Sequence, residues 1–551
     1  MAGSARPSLP VVEAPRARDI SRPVMLIGFQ EQANLGLGYL ASTLRGHGYR
    51  VEVFDFERDR EELLKAAREL DPLLIGFSLI FQFYYERFDV LTRFLRAAGV
   101  RCHFTMGGHF PSLSYEHTFQ LVGGIDSIVR FEGEMTLLEL ADLLSVGAEW
   151  RDIKGIAFRR GEEIVANPLR PLIHDLDLLP YPERNDIHPT MILGRRATPI
   201  VASRGCIRTC SFCSIHVFYR TAPGKVVRTR KPVHVVEEMR MLHERHAMTI
   251  FLFQDDDFPL YGPVWRRWAN EFIDELYRQG LAGRILWKIN CRADAVDRDL
   301  MARMRDAGLY LVYMGLESGS EDGLATLNKK ITVEQNLRAV ETLKSVGLSF
   351  EYGFMLFDPS TTFDSVRDNL AFLKTIVGDG STPAQFCRMV PYDGTPIKDE
   401  LARSGRLRGD IKNPDYDFLD PTMDTFFYTL NRMIHVSGWI HGIEALTPQL
   451  QYARSEVAVM DALFPALPGL ADYSETVRAI TQAANEVLFR VVEDVLNACT
   501  DGQPQPWSPA AVRAECRGFQ ETLVNERNAF VARNQAILMR ALEEDATPAL
   551  T

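Results

Sequence analysis

The chain has 551 residues, of which 46% are apolar and 25% are charged, a composition that predicts a folded globular protein with several domains. Its formal net charge is −11, which argues against a nucleic-acid-binding protein because such proteins normally present a basic surface. No segment reaches the roughly 18 consecutive apolar residues that indicate a membrane-spanning helix, so we expect no membrane partner.

Residues 1–20 lack the apolar core of a signal peptide and predict a disordered tail. The chain has eight cysteines, and five of them are scattered without a regular spacing: Cys102, Cys291, Cys387, Cys499 and Cys516. This usage is typical of a reducing compartment, where clustered cysteines more often bind metals than form disulfides. We therefore expect a cytoplasmic protein.

Residues 21–148 predict an α/β domain. Apolar runs that fit buried parallel strands alternate with amphipathic segments, and the strands are expected at 23–29, 50–56, 71–78, 100–108 and 125–131. This alternation is typical of a doubly wound, Rossmann-like sheet. Such a sheet binds ligands beyond the carboxyl ends of its strands.

The rest of the chain predicts three further regions. Residues 149–190 contain IKGIAFRRGEEIVAN and the proline-rich LLPYPERNDIHP, which predict a linker with a β-hairpin. Residues 191–400 hold about six strand–helix units and predict a partial (β/α)6 barrel of the TIM type, with catalytic groups at the carboxyl ends of its strands. Residues 401–551 predict an α-helical C-terminal domain, because apolar residues recur at helical spacing. The clearest series is Val477, Ile480, Ala484, Val487, Val491 and Val495.

The sequence CIRTCSFC places Cys206, Cys210 and Cys213 within eight positions, directly after the first predicted barrel strand. One interpretation is a set of buried structural thiols, which need no common spacing. A second is a zinc site completed by His216, although the spacing differs from that of ordinary zinc sites. The third is an iron–sulfur cluster on three thiolates, which leaves one iron open. The third is favoured, because an open coordination position marks a catalytic metal site and barrel enzymes place their active sites at this end.

CIRTCSFC resembles the CxxxCxΦC signature of the radical S-adenosylmethionine (SAM) enzymes, with Phe212 as the aromatic residue Φ. The resemblance implies a 4Fe–4S cluster on Cys206, Cys210 and Cys213, with SAM bound to the open iron through its amino and carboxylate groups. An electron from the cluster would cleave SAM to methionine and a 5′-deoxyadenosyl radical. We expect an external reductant, such as flavodoxin or ferredoxin, to supply that electron.

Further stretches of the predicted barrel resemble SAM-binding parts of this family. FQDDDF ends the second strand with three carboxylates, of which one would meet the SAM ammonium; the alternative is a solvated turn that caps a helix. These carboxylates belong to Asp255, Asp256 and Asp257. Arg292, in NCRAD, is a candidate partner of the SAM carboxylate, or else forms a surface salt bridge. GLESGSEDGLATLNKKIT is similar to a stretch of the cobalamin-associated branch, which implies that Glu317 and Ser318 face the ribose or methionine end of SAM.

PYDGTP, residues 391–396, resembles the PyPGTp stretch of the same family, with Asp393 in place of proline. It predicts a turn that closes the last barrel strand. Nearby residues that could serve as a general base are Cys291, Cys387, Tyr392, His435 and His441.

GFSLI (76–80) and GGHF (107–110) resemble the Ser-x-Leu and Gly-Gly pair of cobalamin-binding domains, with Ile80 in the leucine position. A small hydroxyl and two glycines leave room for the nucleotide tail of cobalamin at the sheet edge. RFEGEMT (130–136) is similar to the stretch that closes this domain. The resemblance implies that cobalamin contacts Ser78, Gly107, Gly108, Glu132 and Gly133.

The loop FQEQANLGLG after the first strand has no histidine where Asp-x-His-x-x-Gly would place a cobalt ligand. Members of this branch often bind cobalamin without such a histidine, so the resemblance still implies cobalamin binding. The alternative is a Rossmann-like domain that serves only as a scaffold.

The resemblance to the cobalamin-dependent (class B) radical SAM enzymes covers residues 23–400 and implies a methyltransferase. One SAM would methylate cobalamin, and a second would give the radical that takes hydrogen from an unactivated carbon or a phosphinate phosphorus. The methyl group would then move from cobalt to the substrate. We expect a small-molecule substrate, from a natural-product pathway, and a monomeric enzyme.

Three functions other than methyl transfer differ in what they require of the sequence. A cyclase or ring-rearranging enzyme uses the same cofactors, and the sequence does not separate it from a methyltransferase. A tRNA methylthiotransferase should carry three more cysteines in its N-terminal domain, where this chain has only Cys102. A non-catalytic cobalamin or redox sensor would have little use for a complete cysteine loop and barrel.

Overall fold

The structure is a computed structural model that describes residues 18–30, 34–184, 190–502 and 504–546. Most of the predicted N-terminal tail, residues 1–17, lies outside the described residues, and so do residues 31–33 of the loop after the first strand. Within the described ranges, no helix combines the length and the apolar character that crossing a membrane requires.

The chain forms two compact units, each assembled from segments that are distant in the sequence. The first unit consists of Met1–Thr190, Thr198–His234 and Pro391–Asp415. The second consists of Met191–Ala197, Val235–Val390 and Tyr416–Thr551. The cysteine loop and the PYDGTP turn therefore belong to the same unit as the N-terminal sheet.

The N-terminal part of the chain alternates strands with helices. The strands are β1 (Val24–Gly28), β2 (Val51–Asp55), β3 (Leu74–Ser78), β4 (His103–Gly107), β5 (Ser127–Val129), β6 (Ile156–Arg160) and β7 (Glu163–Ala166). The helices are α1 (Leu35–Gly46), α2 (Arg60–Leu70), α3 (Tyr85–Ala97), α4 (His109–Leu113), α5 (Tyr115–Leu121) and α6 (Glu134–Ser145).

These strands form one seven-stranded sheet in the order β2-β1-β3-β4-β5-β6-β7. Strands β1 to β5 pair in parallel, and the β6–β7 hairpin adds two antiparallel strands at one edge. Alternate side chains of β1 enter two separate cores, Val24 and Leu26 on one face and Met25 and Ile27 on the other. Burial of both faces confirms the predicted doubly wound sheet.

The middle of the chain has a second alternation. Its strands are β8 (Thr190–Ile192), β9 (Arg195–Ile200), β10 (Ser203–Arg204), β11 (Arg228–Thr229), β12 (Met248–Phe253), β13 (Leu286–Cys291), β14 (Leu309–Glu317), β15 (Ser349–Phe357) and β16 (Cys387–Arg388). Its helices are α7 (Ser214–Thr221), α8 (Pro232–His246), α9 (Gly262–Arg278), α10 (Arg298–Asp306), α11 (Glu321–Thr326), α12 (Val333–Ser345) and α13 (Phe363–Val377). The second large sheet has the order β16-β15-β14-β13-β12-β9-β8, and its neighbours from β12 to β16 pair in parallel, as the predicted partial barrel requires.

The last part of the chain is mainly helical, as predicted. It contains α14 (Pro396–Arg403), β17 (Leu407–Gly409), β18 (Pro414–Tyr416), α15 (Pro421–Ser437), α16 (Leu446–Leu463), α17 (Leu470–Asp501) and α18 (Pro509–Ala546). Val459 of α16 packs with Ile250, Leu286 and Tyr310, which lie near the amino ends of β12, β13 and β14. Helix α16 therefore covers the end of this sheet opposite to the carboxyl ends, where barrel enzymes bind their ligands.

Asn485 of α17 stabilises the segment that leads into β16. Its Nδ2 donates to the carbonyl oxygens of Val377 (2.8 Å) and Thr382 (3.1 Å), and its Oδ1 accepts from the Ala384 N–H at 2.7 Å. Asn485 is only 2% exposed, so water does not replace these bonds when the side chain is removed.

We expect Asn485→Ala to lower the free energy of unfolding by about 2–4 kcal/mol, because it leaves buried backbone groups without partners. Chemical denaturation followed by circular dichroism measures this change. Arg490→Ala, at an exposed position of the same helix, is the control and should change stability little. Equal stability of the two variants would contradict the role given to Asn485.

Candidate functional site

The cysteine loop connects β10 to α7 in the first unit. Strand β10 pairs with β11 in a short antiparallel ribbon, with Ser203 opposite Thr229 and Arg204 opposite Arg228. Gly205 turns the chain into the loop with φ of 91°, and a Cβ there would lie 2.0 Å from the Val226 carbonyl oxygen. Only glycine fits this position, so the first cysteine starts from a fixed backbone.

The three predicted cluster cysteines share this one loop. Cys210 is buried, whereas Cys206 and Cys213 are partly exposed, and Phe212 between them is half-buried. The Arg208 N–H donates to the Cys206 Sγ at 3.4 Å, and the Cys213 N–H donates to the Cys210 carbonyl at 3.2 Å. Hydrogen bonds to sulfur favour a thiolate and tune the potential of an iron–sulfur cluster.

The donor set fits a cluster better than a single ion. Among the residues that the structure describes, no three His, Cys, Asp or Glu side chains are grouped so that they could hold a metal ion. A zinc site on Cys206, Cys210, Cys213 and His216 would be such a group, so the geometry gives that alternative no support. In an iron–sulfur cluster each thiolate bonds a different iron, and the three sulfurs therefore stand further apart.

A buried ion-pair network holds the strand that leads into the loop. Arg204 contacts Glu132 at 3.3 Å and Glu134 at 2.6 Å, and Arg228 contacts Glu132 at 2.9 Å. The Ile173 N–H also donates to the Glu132 Oε2 at 2.7 Å. Desolvation lowers the pKa of Arg204, but the charges of Glu134 and Glu132 outweigh it, so the pKa is raised and the guanidinium stays charged.

The carboxyl edge of the first sheet is lined by small residues. Gly28, Ser78 and Gly107 end β1, β3 and β4 and lie in register with one another. Gly108 follows with φ of 113°, and a Cβ there would lie 2.3 Å from the Leu79 carbonyl oxygen. Residues this small at the carboxyl ends of neighbouring strands fit the expected approach of cobalamin to this edge. Gly28 was not among the residues predicted to contact cobalamin, although its position at the end of a buried strand was the available signal.

An aromatic cluster follows the same edge. Phe131, two residues after the end of β5, has φ of 64°, which is rare for a bulky residue and costs about 1–3 kcal/mol. The Phe131 ring packs against the ring of Phe218 in α7, with their centroids 4.9 Å apart. The imidazole of His109 stacks on the same Phe218 ring, with the centroids 4.3 Å apart. Burial lowers the pKa of His109 to about 4, so its imidazole is neutral near pH 7. No local sequence pattern indicates this cluster, because it joins three separate segments of the chain. Gly133, the remaining predicted residue here, precedes the first residue of α6.

Asp393 of the PYDGTP turn belongs to the first unit. Its carboxylate contacts the Lys398 Nζ at 2.5 Å and the His117 Nδ1 at 2.9 Å, and its N–H donates to the Gln82 Oε1 at 2.7 Å. Desolvation raises the pKa of this carboxyl, but these hydrogen bonds outweigh it and the pKa is lowered. The aspartate that replaces proline therefore ties the turn to α5 and to the segment before α3.

In the second unit, the three predicted aspartates differ in exposure. Asp255 is 2% exposed, Asp256 is exposed, and Asp257 is half-buried. The Asn290 Nδ2 of β13 donates to the carbonyl oxygens of Phe253 (3.3 Å) and Asp255 (3.4 Å), which fixes the turn after β12. Of the three, Asp255 is the one that is buried and whose backbone carbonyl accepts from Asn290.

Arg292 and Glu317 meet through Lys329. The Lys329 Nζ contacts the Glu317 Oε1 at 2.9 Å, and the Arg292 Nη2 donates to the Lys329 carbonyl at 2.7 Å. Arg292 also pairs with Asp294 at 3.0 Å and is 6% exposed, so it is not a surface salt bridge. Glu317 has φ of 67° and lies at a register shift in the pairing of β14 with β15. Its carboxylate packs over Gly315, where a Cβ would lie 2.4 Å from the Glu317 Oε1.

Ser318 lies apart from this group. Its hydroxyl donates to the Asn369 Oδ1 of α13 at 3.1 Å, and the residue is fully buried. The structure thus brings Glu317, Lys329 and Arg292 together but directs the adjacent Ser318 side chain into the packing between strand and helix.

A row of polar side chains on alternate strand positions was missed by the sequence analysis. Lys288, Tyr313 and Glu351 lie on β13, β14 and β15, and the Lys288 Nζ is 5.6 Å from the Tyr313 ring. Desolvation raises the pKa of Glu351, and the positive charge of Lys288 offsets part of this rise. Nearby, the Cys387 thiol donates to the Phe354 carbonyl oxygen at 3.5 Å, and desolvation of the sulfur raises its pKa to about 12, so the thiol is a poor base at neutral pH. The available signal was the period of two in these strands.

The buried His109 predicts an acid-dependent loss of stability. Its folded-state pKa, about 4, lies below its ordinary value of 6.5, so its contribution is complete above pH 6.5 and is lost as the pH falls toward 4. His109→Phe keeps an aromatic ring packed on Phe218 but has no group that titrates. Between these pH values its free energy of unfolding should therefore fall by about 2–3 kcal/mol less than that of the wild type. Denaturant titrations at several pH values measure this difference. Parallel pH curves would contradict the assignment.

Two family models match the chain. The B12 binding domain matches residues 29–141, and the radical SAM superfamily matches residues 200–373. Together they cover just over half of the chain. The first match includes the small-residue edge of the first sheet, and the second includes the cysteine loop.

Several curated proteins are similar over most of their length. An uncharacterized methyltransferase of Pyrococcus horikoshii is 29% identical over 401 residues, which cover 72% of this chain and 84% of the relative. The anaerobic magnesium-protoporphyrin IX monomethyl ester cyclase of Rubrivivax gelatinosus is 28% identical, covering 70% and 69%. The cytidylyl-2-hydroxyethylphosphonate methyltransferase of Streptomyces wedmorensis is 23% identical, covering 78% and 87%.

Solved structures share the fold at lower identity. The cobalamin-dependent SAM radical enzyme OxsB, with aqua-cobalamin and SAM bound, aligns with a TM-score of 0.67 at 18% identity, covering 96% of this chain and 85% of OxsB. The radical SAM methyltransferase TsrM of Kitasatospora setae aligns with a TM-score of 0.62 at 20% identity, covering 92% and 100%.

These matches agree with the cysteine loop, the small-residue sheet edge and the two alternating sheets. A B12-binding domain together with a radical SAM domain implies cobalamin, SAM and a 4Fe–4S cluster as cofactors. The chain belongs to the cobalamin-dependent radical SAM enzymes.

Proposed function

We propose that this enzyme transfers a methyl group to an unactivated carbon, or to a phosphinate phosphorus, of a small-molecule substrate from a natural-product pathway. The observation that carries the proposal is that the cysteine loop and the small-residue edge of the B12-binding sheet belong to one compact unit. Two of the relatives described above are named methyltransferases, which supports the same chemistry.

When bound, the cluster and SAM would supply a 5′-deoxyadenosyl radical, and cobalamin would supply the methyl group. The chain's own task is to bind and orient these groups and to exclude water. Cys206, Cys210 and Cys213 would hold the cluster, with Phe212 packed among them. Gly108 and its small neighbours Ser78, Gly107 and Gly133 would let cobalamin approach the sheet edge. Glu132, the other residue for which the resemblance implied cobalamin contact, has its carboxylate held by Arg204 and Arg228.

In the second unit, carboxylates and cations would hold SAM. Asp255 is favoured over Asp256 and Asp257 as the partner of the SAM ammonium, because its turn is fixed by Asn290. Arg292 would meet the SAM carboxylate, since its guanidinium is already oriented by Asp294 and the Lys329 carbonyl. Glu317 would accept hydrogen bonds from the SAM ribose, and Ser318 would support it through the backbone.

The polar row on β13 to β15 would contact the substrate. Lys288 and Glu351 place opposite charges on one sheet face beside the Tyr313 ring, which suits a polar small molecule. An external reductant such as flavodoxin or ferredoxin, a monomeric state and a cytoplasmic location are parts of the same proposal.

A second candidate is a cyclase or ring-rearranging enzyme that transfers no methyl group. It is favoured by the 28% identity to the Rubrivivax cyclase over 401 residues. Mass spectrometry of the product separates the two, because a methyltransferase adds one methyl mass and a cyclase does not.

The cofactor assignment is tested by anaerobic reconstitution with iron, sulfide and hydroxocobalamin. We expect Cys206→Ala to lose the cluster absorbance and its iron while cobalamin is still recovered by extraction. The matched control is Cys499→Ala, in α17, which should keep both cofactors. With a strong reductant, the wild type should convert SAM to 5′-deoxyadenosine. Full iron retention by Cys206→Ala would contradict the assignment of the cluster.

Gly108→Ala tests the cobalamin-binding edge. The new methyl group would lie 2.3 Å from the Leu79 carbonyl oxygen at φ of 113°, so the edge must deform and cobalamin affinity should fall by about tenfold or more. Gly99→Ala has a similar φ of 91° but no atom within 4 Å, and so controls for backbone strain alone. Equal cobalamin recovery from the two variants would contradict this placement of the cofactor.

A further inference from the structure

Residues 131–134 connect the cobalamin-binding edge proposed above with the cysteine loop proposed to hold the cluster, both in the first unit. This segment follows β5, whose residues Ser127 and Ile128 pair with Thr105 and Met106 of β4. It therefore begins at the same sheet edge at which β4 ends in Gly107. The Phe131 N–H donates to the Ser112 Oγ of α4 at 2.7 Å, which anchors the segment to that edge.

The same segment contacts the chain on both sides of the cysteine loop. Before the loop, Glu132 and Glu134 bind Arg204, which is two residues ahead of Cys206. After the loop, Phe131 packs on Phe218, which is five residues beyond Cys213. A shift of the segment would therefore move both ends of the loop that carries the thiols.

The contacts on the first side are buried and resist rearrangement. The side chains of Arg204, Arg228, Glu132 and Glu134 are 13%, 2%, 6% and 5% exposed. Two glutamates balance two arginines, and breaking either pair would leave a charge without a partner away from water. Glu132 accepts from Arg228 with both carboxylate oxygens, so it has little freedom to turn toward a ligand.

The contact on the second side is held in a strained conformation. Phe131 keeps φ of 64° although it has a Cβ, and strain of this kind persists only where the surrounding structure enforces it. Its partners in this core are Phe218, Tyr219 and Leu172. The strained residue thus lies where the sheet edge meets the helix that follows the cysteines.

We propose that residues 131–134 are positioning residues that set the distance between the cysteine loop and the cobalamin-binding edge of the first sheet. They act through Arg204 and Phe218 and need not touch either cofactor. This differs from the role that sequence resemblance implied for Glu132, which was direct contact with cobalamin. The inference rests on the proposed function only in requiring that both cofactors bind.

The test measures the magnetic coupling between the two cofactors without substrate. A reduced 4Fe–4S cluster and cob(II)alamin each carry an unpaired electron, and their dipolar coupling falls with the cube of the distance between them. Electron paramagnetic resonance of the doubly loaded protein therefore reports this distance. We expect Glu132→Gln to change the coupling and to weaken iron retention by roughly 10-fold, because it removes the charge that holds Arg204 and Arg228.

Glu139→Gln is the matched control. Glu139 lies on α6 and pairs with Arg170, and both side chains are about a quarter exposed. This variant should keep the wild-type coupling and iron content. A purely structural role for Glu132 would lower the melting temperature but leave the coupling of the folded, loaded protein unchanged, and that result would overturn the proposal.

Phe131→Gly keeps the proposal testable if Glu132→Gln does not fold. Glycine accepts the positive φ without strain, so we expect this variant to fold, to retain iron and to show an altered coupling. Wild-type coupling in Phe131→Gly would overturn the proposal. If the wild type binds both cofactors but transfers no methyl group, the proposed function fails alone; if it never binds cobalamin, both fail.

Discussion

Two arginines and two glutamates with almost no exposure to water form ion pairs in the first unit, at the start of the cysteine loop. Arg204 and Arg228 lie on the two strands of the ribbon that begins the loop, and Glu132 binds both. Removing one member of such a buried pair typically costs about 3–5 kcal/mol, because the partner is left charged and desolvated. The network therefore fixes the ribbon, and through the ribbon it fixes the backbone from which the first cysteine starts.

Close backbone approach is the second constraint on the first unit. At Gly205 the backbone passes so close to Val226 that a Cβ would lie 2.0 Å from the Val226 carbonyl oxygen. At the sheet edge, a Cβ on Gly108 would lie 2.3 Å from the Leu79 carbonyl oxygen. Both glycines have positive φ, so steric space and backbone conformation select the same residue. In the second unit, Gly315 and Gly353 face each other on β14 and β15 and leave room for Glu317 and the Tyr313 hydroxyl.

Much of the architecture was predictable from local sequence. Alternating apolar strands and amphipathic helices predicted both parallel sheets, and CIRTCSFC predicted the cluster loop, because spacing within one short loop does not depend on distant residues. Hydrophobic periodicity also predicted the C-terminal helices. It did not predict that α16 covers the amino ends of β12 to β14, since any amphipathic helix carries a similar pattern.

The sequence by itself determined the types of element and predicted the three cysteines proposed to bind iron, since both follow from local spacing and side-chain chemistry. Only the tertiary structure decided which distant residues meet. It joined Glu132 to Arg204 and Arg228, placed Arg292 beside Lys329 in the core instead of on the surface, and assigned Asp393 to the first unit. These contacts span tens of residues or more, and a single sequence holds no signal for them, because any arginine satisfies the same local rules whichever carboxylate it finally meets.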